Sequence, residues 1–89
     1  MLIRSQDKRI LINMNNVSSI EVGDNELRIF ADDGETIYDL GSYSTKAKAM
    51  KVLDMIQEAY ERYEYEKVFK TGLTLFDTFQ IPEDSEVEV

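Results

Sequence analysis

The hydrophobic pattern of this chain changes period near Gly41, and that change limits what it can fold into. In ELRIFADDGETIYDL, Glu26 to Leu40, apolar residues alternate on both sides of Asp33-Gly34. In GSYSTKAKAMKVLDMIQEAYERYEYEK, Gly41 to Lys67, they recur at spacings of three and four: Ala49, Val52, Leu53, Ile56, Ala59, Tyr60 and Tyr63. The first period is that of a strand with one buried face, the second that of a helix with one buried stripe. An α+β fold follows, with the helix laid across a sheet.

The strands before Gly41 read as an antiparallel β-meander of about five strands over residues 2–42. Asp33-Gly34 is a strong signal for a two-residue type I′ hairpin, in which both central residues take positive φ. That turn pairs Leu27 with Leu40, Ile29 with Tyr38 and Ala31 with Thr36 on an apolar face. The other face pairs Phe30 with Ile37 and sets Arg28 against Asp39 as a cross-strand ion pair. Upstream, RILINM and VSSIEV are two strands turned at Asn15-Asn16, because asparagine tolerates the left-handed region. Met1–Ser5 reads as an edge strand turned at Gln6-Asp7-Lys8.

The helix is expected over about residues 45–66, with Ser44 or Thr45 as its N-cap. Gly72 closes the loop after it, and a last strand runs over about residues 73–81, up to Pro82. The reading is a single α+β domain over residues 1–82 and an acidic flexible tail, EDSEVEV, over residues 83–89. One domain suits a chain of 89 residues with few glycines and one proline.

Composition removes several classes of function. Cysteine and histidine are both absent, which rules out a disulfide framework, a Cys/His zinc site and a histidine general base. Apolar runs reach no more than three residues, as in Ile10-Leu11-Ile12, so no transmembrane helix and no membrane partner are expected. MLIRSQDKRILINM lacks the apolar core of a secretory signal, which gives a cytoplasmic location as the expectation. With 18 acidic against 10 basic residues, direct binding of duplex DNA is not expected.

The charge is unevenly placed. Asp24, Glu26, Asp32, Asp33, Glu35 and Asp39 face Arg28 alone in the hairpin, whereas Lys46, Lys48 and Lys51 crowd the start of the helix. Basic residues there oppose the helix dipole, as do Glu58, Glu61, Glu64 and Glu66 further along. One reading is an anion site built from Ser44, Thr45, Lys46 and Lys48 with free backbone amides. The other is a solvated lysine face balancing the acidic hairpin, and exposed lysines are the commoner case. Asp32, Asp33, Glu35 and Asp39 lack the ligand spacing of a calcium loop, so no metal site, no cofactor and no catalytic residue is assigned.

Among the aromatic residues, Tyr60 and Tyr63 fall on the buried stripe. Tyr65 points away from it and, with Tyr43 or Phe76, is a candidate interface patch for self-association.

Three segments, MLIRSQDK, LGSYSTKAKAMKVLDMIQEAY and FQIPEDSEVEV, resemble short hypothetical proteins of Gram-positive bacteria and their phages. The resemblance implies a mobile-element context and a folded domain, and it carries no function onto any position. The sequence reading is a small protein-interaction module that binds a protein partner or itself, as a homodimer, rather than an enzyme. The alternative is a binder of a small anionic ligand, a nucleotide or phosphate, at the helix start. A further idea is an acidic mimic of nucleic acid that occupies a basic groove on another protein.

Overall fold

A computed structural model of the chain describes residues 1–24, 27–69 and 78–89. It is mixed α+β. The strands are β1 (Leu2–Arg4), β2 (Leu11–Asn13), β3 (Ser19–Val22), β4 (Arg28–Asp32), β5 (Ile37–Ser42) and β6 (Thr78–Gln80), and the helix α1 runs over Lys46–Phe69. The expected single meander is corrected to two three-stranded sheets, ordered β2-β1-β6 and β3-β4-β5. β6 pairs in parallel with β1, Ile3 opposite Phe79. Gly72, Phe76 and residues 73–77 of the expected last strand lie outside the described residues.

The division between the sheets has a local cause. Asn15-Asn16 does not turn a hairpin; Met14–Asn16 forms a 3-10 turn in which the Asn13 side chain accepts from the Asn15 amide at 2.9 Å. Asparagine here uses its side-chain oxygen as a cap rather than its tolerance of positive φ. The chain leaves β2 in a new direction, and β3 pairs with β4 instead.

The loop of the β4–β5 hairpin is longer than the Asp33-Gly34 signal implies. Its last pair is Asp32 with Ile37, so Asp33 to Thr36 form the loop. Asp33 Oδ1 accepts from the amides of Glu35 and Thr36 at 2.9 and 2.7 Å, and Asp32 Oδ1 accepts from Gly34 at 2.7 Å. Of these residues only Gly34 has positive φ, whereas a type I′ turn needs two. From Phe30 to Asp32 the register therefore differs from the expected one by two residues, and an even shift leaves those side chains on their expected faces. Ile29 and Ala31 are fully buried, and Phe30 faces outward. The Arg28–Asp39 ion pair forms as expected, but diagonally, because the register partner of Arg28 is Ser42.

A register shift between Ile29 and Phe30 leaves Leu40 as the extra residue of β5, buried in the core. Leu27, expected opposite it on the apolar face, is exposed instead.

α1 lies against β3 and β4. Of its expected stripe, Ala49, Val52, Ile56 and Tyr63 are buried, while Leu53, Ala59 and Tyr60 are half-buried at the margin. Ile3 and Ile12 from the first sheet, with Ile81 just after β6, join Ile29, Ala31 and Leu40 from the second in the same core.

Candidate functional site

The start of α1 carries the expected anion-site residues. Thr45 is the cap: its Oγ1 accepts from the Lys48 amide at 3.2 Å. Ser44 has another partner. Its amide donates to Asp84 Oδ1 at 2.7 Å, and its hydroxyl donates to the same carboxylate at 2.9 Å. Lys48 Nζ reaches Asp84 Oδ2 at 3.3 Å and the Asp84 carbonyl at 3.0 Å. Ser44 and Lys48 thus converge on one anion, the chain's own Asp84, while Thr45 caps the helix beside them. Lys46 is exposed and makes no bond in the cluster.

The geometry shows in the acidity of Asp84. The Ser44 amide, then its hydroxyl, and then Lys48 hold its carboxyl below its ordinary value. Each of these bonds favours the ionised form.

Asp84 is delivered by a folded segment. Residues 83–89 read from sequence as a flexible tail, yet Asp84–Glu86 form a 3-10 turn, and the Glu83 amide donates to Glu86 Oε1 at 2.9 Å. Val87 behind it is 4% exposed and belongs to the core. Just upstream, the Pro82 carbonyl accepts from the Tyr43 hydroxyl at 2.6 Å and from Gln6 Nε2 at 3.1 Å.

Gln6 was not singled out by sequence, but it ties three segments together. The turn that presents it is fixed by the buried Ser5, whose amide donates to Ile10 O at 2.8 Å and whose carbonyl accepts from Lys8 at 2.9 Å. The Gln6 amide donates to Leu40 O at 2.7 Å, and its side chain pairs with Ser42 and Pro82. No local sequence signal marks an exposed-type glutamine for this role. Asp84 did carry a signal: a helix with a basic first turn wants an anion, and the acidic tail holds several.

The expected interface residues separate. Tyr43 is 4% exposed and packed in the core, so it adds nothing to a surface patch; burial, with the charges of Asp84 and Glu86, pushes its hydroxyl up to about 12. Tyr65 is exposed on α1, and Phe76 lies outside the described residues.

Other surfaces among the described residues are open as well. An apolar groove of about 500 Å³ runs between α1 and β3, with Met14, Val17, Ile20, Leu53 and Tyr60 among its lining and Glu61 at its rim. A smaller hollow of about 230 Å³ lies on the outer face of the second sheet, around Phe30 and Ile37. Among the described residues no helix is long and apolar enough to cross a membrane. Comparison with protein-family models, with curated proteins and with solved structures finds no match to this chain.

Proposed function

We propose that this chain works by binding another protein rather than by catalysis. The observation that carries the reading is the groove between α1 and β3. Its large apolar side chains stay half-buried beside a strand with one sheet neighbour among the described residues, β4. An extended apolar segment of a partner would lie along the β3 edge and place alternate side chains in the groove. Binding of an external anion at the helix start is the weaker reading, because Asp84 already uses the Ser44 amide and Lys48. The resemblance to short phage and Gram-positive proteins supports a small modulator of mobile-element origin.

Photo-crosslinking tests this reading. A benzophenone side chain placed at Gln57, on the groove, should give one defined adduct with a partner in the native host. The same probe at the exposed Lys51 should not. A dimer-sized adduct would identify a second copy as the occupant; no adduct from Gln57, or the same products from both sites, contradicts the reading.

A further inference from the structure

The outer face of the second sheet carries a feature that the groove does not explain. Cross-strand partners share a face, so the register sets Ser19, Asp32 and Ile37 in one row and Glu21, Phe30 and Asp39 in the next. Phe30 is therefore an aromatic ring flanked by carboxylates: Glu21 and Asp39 on the neighbouring strands, and Asp32 two residues along its own. Ile37 beside it is 68% exposed, far more than a β-branched residue on a strand needs to be. Neither Phe30 nor Ile37 belongs to the hydrophobic core.

The hollow of about 230 Å³ lined by Ser19, Glu21, Phe30, Asp32 and Ile37 thus has an apolar floor and acidic walls. The chain itself shows that this face holds a guanidinium, because Arg28 pairs with Asp39 at its edge. Asp32 spends one oxygen on the Gly34 amide. Among the described residues, the Glu21 carboxylate has neither a hydrogen-bond nor an ion-pair partner.

We propose that this hollow seats an arginine side chain of a partner protein, with its guanidinium over the Phe30 ring and its charge against Glu21 and Asp32. Charge selects the occupant, since the hairpin around the hollow is acidic and the chain carries a net charge of -8. Arginine fits better than lysine because a planar guanidinium stacks on an aromatic face and still donates in its own plane to a carboxylate. The aliphatic stem of the arginine, and an apolar neighbour in the partner, cover Ile37. This deepens the reading of the chain as a protein-binding module and rests on it.

The test uses the full chain and a fluorescein-labelled, amidated peptide Gly-Arg-Ile-Arg-Gly as the probe, read by anisotropy. Saturable binding is expected, weaker for the lysine peptide and lost when citrulline replaces arginine. Glu21→Gln and Phe30→Leu should each weaken it about fivefold or more, while Glu88→Gln in the tail should leave it unchanged. Amide shifts on binding should centre on Ser19, Glu21, Phe30, Asp32 and Ile37. Absence of binding up to millimolar peptide overturns the proposal. So does an equal effect of Glu21→Gln and Glu88→Gln, which would mean diffuse attraction to an acidic protein, or undiminished binding by Phe30→Leu. None of these failures touches the crosslink from Gln57, which reports on the other face of the sheet.

Discussion

The side-chain amide of Gln6 pairs with both main-chain groups of Ser42: Nε2 donates to its carbonyl at 3.0 Å and Oε1 accepts from its amide at 3.1 Å. Glutamine here stands in for a strand neighbour along the last part of β5. The close approach requires a residue without Cβ next door. A Cβ on Gly41 would lie 3.0 Å from Gln6 Cβ and 3.2 Å from its Cδ.

That contact makes a double-mutant cycle informative. Gly41→Ala should cost about 1–3 kcal/mol by overpacking. Gln6→Gly should cost about 2 kcal/mol through lost hydrogen bonds and added backbone freedom. Because the clash needs the Gln6 side chain, the double variant should be more stable than the sum implies by about 1 kcal/mol. Urea unfolding checks this, and strict additivity would show that Gly41 is required for another reason.

The two faces of the second sheet should respond differently to truncation. Ile29 is fully buried, and Ile29→Ala should lose about 2–5 kcal/mol. Ile37 stands in solvent, and Ile37→Ala should change stability by no more than about 0.5 kcal/mol. A large loss at Ile37 in thermal or urea unfolding would mean that its side chain packs within the chain.

The C-terminal segment should contribute to stability. Val87→Ala removes buried methyl groups and should lower stability by about 1–2 kcal/mol in urea unfolding. Deleting residues 83–89 should lower it further, since Asp84 leaves with them. A deletion that left the unfolding midpoint unchanged would show the segment to be undocked.

Stability should fall at both ends of the pH range. The Ser44 amide and hydroxyl hold the Asp84 carboxyl below its ordinary 3.8, the Thr36 and Glu35 amides do so for Asp33, and the Ser5 hydroxyl and Arg9 amide for Asp7. The unfolded chain takes up these protons first. The stability they contribute is complete above pH 3.8 and is lost as pH falls through the lower native values. Tyr43 acts in the opposite sense: burial raises its hydroxyl from 10.0 to about 12, so its contribution is complete below pH 10 and is lost as pH rises toward 12. Urea midpoints across pH check both limbs. A flat acid limb, or loss of stability already below pH 10, would contradict these assignments.

The sequence was most legible where short-range pattern and burial agree. Residue type narrows the cap to Ser44 or Thr45, of which the helix uses Thr45, and the α1 stripe and the faces of β4 and β5 follow from periodicity. The hairpin register did not, because Asp32 and Asp33 bind the loop amides with their own carboxylates and lengthen the turn. The separation into two sheets was hidden for a similar reason: Asn13 caps a 3-10 turn where a hairpin was expected. The parallel pairing of β1 with β6 joins segments far apart in sequence, which no local pattern records. At the helix start, Ser44, Thr45, Lys46 and Lys48 read either as an anion site or as a solvated lysine face, and the contact of Asp84 with Ser44 and Lys48 depended on that same long-range closure.

The basic start of α1 is satisfied from within the chain, by Asp84. The most direct measurement is the backbone amide spectrum of the full chain during titration with inorganic phosphate at constant ionic strength. With Asp84 in place, the Ser44, Thr45 and Lys48 signals are expected to show no saturable shift. A saturable shift of those three at millimolar phosphate would show instead that an external anion takes the place of Asp84.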